Sequence, residues 1–588
     1  DGIGYTSGGY RNGVSGTKFT VDRRLSLYPA KTTTPDQEYV FSFDVVNPVV
    51  GQTSPTVSIE LLGIPISKVA MNKDDGMPCC TTCTTQGSAF AGDAAPLEVH
   101  DPFFCTKTIA QSTPNPCELN ELTVTITANV PLLADKSVVK ISKLYGAHFE
   151  SGEIDILDAS GGANHNMHFG SNFTSQAGTG SWNNNTKELT LYLVADTDCA
   201  SDYVFSFKLY NNPEPQKYQP VEIEAMYVGN SRYLYQSGVS IDAMPMDYAI
   251  SNDVAVYPLY VIQAEFNYVS ATQSSSIPCD TNTITLSFST TVPIWPRCSP
   301  ILSFGTFSEA WSEVGADSYV PLYGPDAFYF TAVNHTDQRI GGSVPQGASW
   351  DNSLKMLHLY VNQTLMDYTD YTVSFNVTNP AASQQAVSLS VTGTGINITE
   401  AVVDSSALYI RDATFDTKLM SQSSPFPCDD NTITVTLISA MPLLRSCAPM
   451  IELSNIVTTA TVDDNNMSVA FFASRMANVN HYGVWTQETG SLVINISAAM
   501  EQAGWDRVHD ISFTFNVTNP QYAQGSPSIE VTADIENHNN FQWSQPMEAD
   551  GSTGAIHFGN KADNINVVPQ NGDAEPLNIR TPYFTVRD

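Results

Sequence analysis

Ten cysteines in 588 residues are the side chains best suited to covalent chemistry in this chain. Cys279 and Cys298 lie 19 positions apart, and so do Cys428 and Cys447. The identical spacing at matching places predicts a disulfide within each pair, closing the hairpin between its members. The position 19 beyond Cys117 holds Lys136, so Cys117 needs another partner, with Cys105 and Cys199 as the candidates. Cys79, Cys80 and Cys83 form a CCxxC group in Thr-rich sequence. A zinc site would need a fourth ligand and a reducing compartment, whereas the acidic, hydroxyl-rich surroundings favour disulfides. Oxidised cysteines in turn imply an extracellular location.

Other chemistry is thinly represented. The chain has no His-Glu-x-x-His metal helix, no Gly-x-Ser-x-Gly elbow and no phosphate-binding glycine loop. Asp429 with Asp430 and Asp463 with Asp464 are paired carboxylates, but among 60 acidic residues such pairs read as solvated turn residues rather than a glycosidase pair. His165 and His168, in ANHNMHFG, lack a nearby acid or cysteine and read as exposed loop rather than metal ligands. No catalytic or metal-binding residue is assigned. Acidic loops at domain junctions could take calcium, although no Asp-x-Asp-x-Asp-Gly loop is present, and no other cofactor is implied. Nine sequons, at Asn172, Asn184, Asn334, Asn362, Asn376, Asn397, Asn466, Asn495 and Asn516, are the candidate glycosylation sites. Asn376 and Asn516 hold the same place in FNVTNP beside inward Phe residues, so both should face solvent.

These side chains must be positioned by a folded, acidic, secreted scaffold. With 42% hydrophobic and 15% charged residues the chain should fold, and its net charge of -34 repels phosphate backbones and anionic membrane surfaces. No apolar run approaches the ~18 uninterrupted residues needed to cross a bilayer. The opening DGIGYTSGGYRNG lacks an initiator Met and a signal-peptide pattern, as in a processed chain or a fragment.

Four signatures recur along the chain. The first is PLEVHDPFF, PLYVIQAEF, ALYIRDATF and PLNIRTPYF, beginning at Pro96, Pro258, Ala407 and Pro576. In the first three copies the last Phe is followed 13 positions later by Cys117, Cys279 or Cys428. Each of these cysteines opens the second signature, CELNELTVTI, CDTNTITLSF or CDDNTITVTL, an acidic-Asn turn followed by apolar and mostly hydroxyl residues in alternation. The third is an aromatic before an alternating run, as at Trp182, Trp350 and Trp485, with Phe19 a looser copy. The fourth, FSFDVVNP, FSFKLYNNP, VSFNVTNP and FTFNVTNP, reads as a strand, an Asn-Pro turn and a returning strand.

Short period-two runs between Gly, Pro, Asn and Ser loops, without a sustained helical period, predict an all-β chain. Its architecture is a tandem array of immunoglobulin-like antiparallel β-sandwich domains forming an elongated rod. Residues 1–95 read as an incomplete N-terminal sandwich, 96–255, 256–405 and 406–570 as full repeats, and 571–588 as a C-terminal strand. Each repeat exceeds the roughly 100 residues a sandwich needs. The excess falls in loops such as residues 159–185 and 549–574.

The two ends are out of phase. Residues 1–95 lack the first two signatures, whereas 576–588 repeat the opening strand of a new copy. This predicts that Leu577, Ile579, Tyr583, Phe584 and Val586 form a donor strand entering the incomplete domain of the next protomer. Such a contact is heterologous and propagates head to tail as a homopolymer.

Tandem C-D-x-N-T-I-T-V-T-L and F-x-F-N-V-T-N-P blocks resemble the repetitive secreted glycoproteins of algae and other protists found in cell-surface coats and flagellar hair-like fibrils. The mismatched ends also resemble, in principle, the strand exchange of bacterial pilus subunits. The resemblance implies a structural extracellular role and brings no catalytic residues. The expectation is therefore a protomer of a glycosylated extracellular filament, with itself and covalent glycans as partners and neither nucleic acid nor membrane among them. The alternative is a carbohydrate- or surface-binding adhesin stalk.

Overall fold

The computed structural model describes residues 15–19, 23–73 apart from 30, 44, 46, 49 and 65, and 95–582 apart from 100, 199–200, 229–238, 249–255, 306, 308–310, 313–318, 333–345, 473, 536–541 and 550–571. The chain divides into two compact units, Asp1–Ile262 and Gln263–Asp588. The first contains one complete sandwich and the second contains two.

The sandwich that begins the second unit shows how the alternating runs fold. Thr281–Thr290 buries Asn282, Ile284, Leu286 and Phe288, and Tyr371–Thr378 buries Tyr371, Val373, Phe375 and Val377. The two strands pair antiparallel in a register that sets Ile284 opposite Phe375. Their other faces carry hydroxyls that meet across the strands. The Thr285 and Ser374 hydroxyls are 2.8 Å apart, those of Ser287 and Thr372 are 3.0 Å apart, and Thr283 Oγ1 donates to Asn376 Oδ1 at 2.9 Å. The apolar and hydroxyl alternation in the sequence thus separates core from solvent.

Phe266–Gln273 and Thr281–Thr290 form the middle of a five-stranded sheet, whose edge strand Asp404–Ser405 runs parallel to Phe266–Gln273. The facing sheet centres on Ile301–Gly305 and Met356–Val361. The sandwich of the first unit repeats this plan, with Asp247–Tyr248 parallel to Phe104–Gln111 and Trp182 buried in the core. Tyr203 and Tyr371 accept 2.7 Å bonds from the backbone N–H groups of Asp198 and Met366, five residues upstream. This corner is a mark of the immunoglobulin class, and Tyr39 accepts in the same way from Thr34 N at 2.8 Å.

The last sandwich departs from the plan. Ile511 stands where that Tyr would be, and helix Ile496–Ala503 precedes the strand Arg507–Thr518. Asn495 caps the helix by accepting from Ala498 N, and Gly504 ends it at φ 75°. Asp464–Phe471 pairs with both Asn480–Thr486 and Arg507–Thr518, merging the two faces into one ten-stranded sheet.

Two expectations need correction here. The first signature does not open a repeat as a unit, because its two halves serve different sandwiches. Val261, Ile410 and Ile579 pair with Gln216, Gln384 and Gln524 of the sandwich that precedes them, whereas Phe266 and Phe415 begin the next. The long segment 159–185 is also not excess loop, since it contains a 3-10 turn at His165–His168 and the strands Phe169–Gly170 and Thr179–Asn183. The Asp158 carboxylate organises its start, accepting from the Ser160 hydroxyl and from the N–H groups of Ser160, Gly162 and His165.

In the N-terminal part, Ser15–Phe19 pairs with Leu25–Tyr28 and Ser58–Leu61 with Ile66–Ala70. Here Val40, Phe41, Leu62 and Ile64 are exposed, at 56% or more of their surface.

Candidate functional site: the cysteine-led turns and the closing straps

Among the described residues no cluster of His, Cys, Asp and Glu could hold a metal ion. The recurring constructions lie at the ends of the sandwiches.

Each cysteine-led turn holds its Cys in the left-handed region, at φ 61° for Cys117, 55° for Cys279 and 59° for Cys428. Three residues on, Asn120, Asn282 and Asn431 are fully buried. Asn282 satisfies its whole hydrogen-bonding capacity. Its Oδ1 accepts from the N–H groups of Ser274 and Ser275, and its Nδ2 donates to Gln273 Oε1 at 3.1 Å and Asn379 Oδ1 at 2.8 Å. Asn379 is the Asn of the Asn-Pro motif, and its Nδ2 donates to the carbonyls of Ser275 and Ile277. The same pairs recur at 2.8 Å as Asn120 with Asn211 and Asn431 with Asn519. A hydroxyl and an acid clamp each turn at 2.6 Å: Thr113 with Glu118, Ser275 with Asp280, and Ser424 with Asp429.

The Gln residues connect this node to the strap that closes the sandwich. Gln111, Gln273 and Gln422 donate from Nε2 to the carbonyls of Tyr260, Tyr409 and Asn578. A second set, Gln52, Gln216, Gln384 and Gln524, exchanges two backbone hydrogen bonds with Val99, Val261, Ile410 and Ile579. Each also donates from its side chain to the carbonyl of Leu97, Leu259, Leu408 or Leu577. All four of these Leu residues have φ between 56° and 62°.

This arrangement overturns part of the donor-strand expectation. Leu577 and Ile579, at 0% and 2% exposure, close their own sandwich rather than standing free for another molecule. They fill the place that Leu259 and Val261 fill in the first unit. The apparent surplus strand arose from counting the strap with the repeat that follows it. Tyr583, Phe584 and Val586 lie outside the described residues.

The predicted staples are also corrected. Cys279 is bonded to Cys447, 168 residues away, with a Cα separation of 5.6 Å. Cys298 is disulfide-bonded, but not to Cys279, and Cys428 is an exposed free thiol. The reason is geometric. The ten-residue strand Thr281–Thr290 between Cys279 and Cys298 carries the chain roughly 33 Å, whereas a disulfide needs Cα atoms about 4.4–6.8 Å apart. The spacing of 19 therefore measures the length of a sandwich, with one cysteine toward each end. The bond instead joins the cysteine-led turn of one sandwich to the 3-10 turn Arg445–Cys447 of the next, where Ser446 Oγ donates to the Cys279 carbonyl at 3.2 Å. Cys105 and Cys117 are disulfide-bonded as well, and Cys79, Cys80, Cys83 and Cys199 lie outside the described residues.

The remaining candidates occupy ordinary positions. Asp429 clamps its turn, while Asp463 and Asp464 accept from the N–H groups of Gln487 and Asn466. His165 Nδ1 accepts from Val204 N, and both His165 and His168 pack their rings on Tyr203. Among the sequons, Asn172, Asn397, Asn466 and Asn516 are exposed, Asn184, Asn362, Asn376 and Asn495 are half-buried, and Asn334 lies outside the described residues. Asn376 is thus less open than its FNVTNP place suggested, although Thr283 at Asn376 and Thr432 at Asn516 donate to the two Oδ1 atoms alike.

No protein-family model matches the chain, and no curated protein matches it. Solved structures overlap parts of it. The serine-rich repeat protein Srr2 from Streptococcus agalactiae is 10% identical over 52% of this chain and 96% of that one, with a TM-score of 0.15. The collagen adhesin CNA from S. aureus is 9% identical over 48% and 91%, at 0.14. The major pilin SpaD from Corynebacterium diphtheriae is 10% identical over 70% and 86%, at 0.18. Scores of this size establish no shared whole-chain fold. None of the helices among the described residues is long and apolar enough to cross a membrane.

Proposed function

We propose that this chain is a structural protomer of an extracellular, glycosylated filament and not an enzyme. The observation that carries this reading is the Cys279–Cys447 disulfide. A bond within one hairpin would stabilise one domain, whereas a bond between successive sandwiches makes their junction covalent and limits how far they can separate. That property serves a spacer under tension and contributes nothing to a reaction. Disulfides also suit an oxidising, extracellular compartment, and the exposed sequons leave room for glycan.

Assembly into a homopolymer is supported by the N-terminal residues Val40, Phe41, Leu62 and Ile64, whose exposed apolar surface a neighbouring copy would cover. Strand insertion between protomers would have to begin beyond Arg580, because Leu577 and Ile579 already serve their own sandwich. Net charge of -34 would keep such fibres apart unless divalent cations screen it.

The second reading is a carbohydrate- or surface-binding adhesin stalk. It is supported by Trp505, 40% exposed, with the Arg475 guanidinium 4.5 Å from its ring centroid. Aromatic faces of this kind stack on sugars. Negative-stain imaging of native material separates the two. Long uniform filaments support the first reading, and isolated particles retained by a glycan column would replace it with the second.

A further inference from the structure

We propose that an N-linked glycan on Asn466 is a built-in part of the last sandwich, its first sugar ring lying on the outward faces of Tyr482 and Val484. The warrant is a comparison of two equivalent places in the chain. Thr179-Gly180-Ser181-Trp182 in the first unit and Tyr482-Gly483-Val484-Trp485 in the last sandwich are the same stretch of the aromatic-led strand. Both Trp side chains are buried. Both Gly residues face the core, where an added Cβ would come within 2.8 Å of Leu191 at Gly180 and within 2.7 Å of Leu492 at Gly483. Because neighbouring positions of a strand point to opposite faces, the outward residues are Thr179 and Ser181 in one case and Tyr482 and Val484 in the other.

The strand alongside changes in step. In the first unit Ser181 lies opposite Glu153 and Thr179 opposite Asp155, so hydroxyls face acids. In the last sandwich Tyr482 lies opposite Ser468, and Asn466, exposed on the same face, stands beside Val484 at the bulge between Asp464 and Met467. An Asn-Met-Ser sequon has replaced the acids where Tyr and Val have replaced the hydroxyls. The cover over this face differs as well. In the first unit it is protein: Ser171 N donates to Thr179 Oγ1 at 3.0 Å, Thr179 donates to the Gln176 carbonyl at 2.9 Å, and Ser171 Oγ donates to Glu153, which leaves Thr179 8% exposed. That covering segment lies within residues 156–178, between the two strands. Only residues 472–479 separate the corresponding strands of the last sandwich, and there Tyr482 is 62% and Val484 45% exposed. The sugar takes the place that residues 171–176 fill in the first unit.

Reach and chemistry agree with this. Residues directly opposite across two strands have Cβ atoms about 4.5–5.5 Å apart and diagonal ones lie about 7–8 Å apart, so a ring attached to Asn466 meets both side chains. Asn466 N donates to Asp464 Oδ1 at 2.8 Å, which fixes the backbone, while the side-chain amide has no hydrogen bond among the described residues. The C–H groups on one face of a sugar ring carry slight positive charge and lie well on the negative face of a Tyr ring, and the contact removes apolar surface from water. In the transfer itself, Asn466 Nδ2 bonds to the anomeric carbon of a glycosyl diphosphate donor, the bond from that carbon to diphosphate breaks, and an amide proton passes to a base of the transferase. No oxidant or reductant is involved. The proposal rests on the glycosylated reading above and adds what this one sugar does.

The test is nitration of the folded, full-length protein with tetranitromethane, read at Tyr482 by peptide mass measurement, with occupancy of Asn466 measured in the same digest. Tyr482 of the occupied protein should react roughly two- to tenfold more slowly than in Asn466→Gln or in Ser468→Ala, because an aromatic contact shifts an equilibrium by about that factor. The two variants remove the sequon at different residues, so agreement between them assigns the effect to the sugar. Tyr522, 74% exposed, is the internal reference and should react alike in all three proteins. Enzymatic trimming of the glycan to its first sugar should preserve the protection. Equal reactivity of Tyr482 with and without sugar, at full occupancy, overturns the packing and leaves the glycosylated reading intact. Loss of protection on trimming also overturns it, by placing the contact farther along the glycan. An unmodified Asn466 overturns the proposal together with the glycosylated reading at this site.

Discussion

The Nδ2 of Asn282 donates to the Oδ1 of Asn379 at 2.8 Å, across 97 residues of chain and with both side chains buried. This contact ties the turn that opens one central strand to the turn that ends its neighbour. Through Gln273 it continues to the Tyr409 carbonyl in the closing strap. Three distant segments are therefore fixed by one polar chain in which each Asn is fully paired, the condition under which a buried network specifies a structure instead of weakening it.

Asn282→Ala should cost about 3 kcal/mol in denaturant unfolding of the sandwich that begins the second unit. It leaves Gln273 Oε1, Asn379 Oδ1 and the Ser275 N–H without the partner that Asn282 supplied, while the Ser274 N–H keeps its bond to the Thr283 carbonyl, and each buried orphan costs roughly 1–3 kcal/mol less whatever water recovers. Thr283→Ala, which removes a hydroxyl on the outer face, should stay within about 0.5 kcal/mol. Equal effects from the two would show that the node does not act as described.

The strands were legible in the sequence because a half-buried strand has to alternate, and TNTITLSFST does so residue by residue. The paired asparagines were visible only as turn formers, because nothing local indicates that Asn120 and Asn211 meet across 91 positions. The disulfides were misassigned for a related reason. Spacing reports how far apart two cysteines lie along the chain, and Cys279 with Cys298 sit at opposite ends of one strand. Leu577 looks like the start of a new repeat because sequence similarity locates a repeat without showing where one domain stops. The strap and the following strand are continuous in sequence but belong to different cores.

Leu577→Ala should destabilise the last sandwich by roughly 2–5 kcal/mol, the usual cost of emptying a fully buried Leu site, while Val462→Ala, at a site 70% exposed, should leave its unfolding midpoint nearly unchanged. Leu577 is wholly buried in that core, and its backbone is pinned by Gln422 Oε1 on one side and Gln524 Nε2 on the other. Thermal unfolding of the two variants checks this. If Leu577→Ala left stability intact but abolished self-association, the strand would serve another molecule after all.

Glycan should be found at Asn172, Asn397, Asn466 and Asn516 more fully than at Asn184, Asn376 and Asn495, whose side chains are half-buried. Asn184 Oδ1 accepts from Lys187 Nζ, and Asn495 Oδ1 holds the helix cap. Enzymatic deglycosylation in heavy-oxygen water, followed by peptide mass measurement, reads occupancy at each site. Uniform occupancy would mean that modification precedes folding and ignores this geometry.

Acid should weaken the fold in two separate windows. Burial lowers the pKa of His148, His358 and His481 below the ordinary 6.5; the charge of Lys187 adds to this at His148, and the charge of Asp351 opposes it at His358. A folded-state pKa below the unfolded one means that the unfolded chain takes up protons first, so stability is intact above pH 6.5 and declines as pH falls through it. His358→Gln should flatten part of that decline, because His358 Nδ1 lies 2.8 Å from Ser303 Oγ, a bond that Gln can replace without titrating. The second window belongs to Asp158, whose pKa is lowered from 3.8 to about 2, chiefly by the Ser160 hydroxyl, with the N–H groups of Ser160 and Gly162 adding to it. The stabilisation it provides is complete above pH 3.8 and disappears as pH falls through about 2. Asp158→Asn should therefore open the 159–185 segment to proteolysis at neutral pH, while leaving the decline below pH 6.5 as in the parent protein. Calorimetry across the pH range, with limited proteolysis alongside, reads both; a single unchanged transition from pH 7 to pH 5 in the parent would contradict the histidine argument.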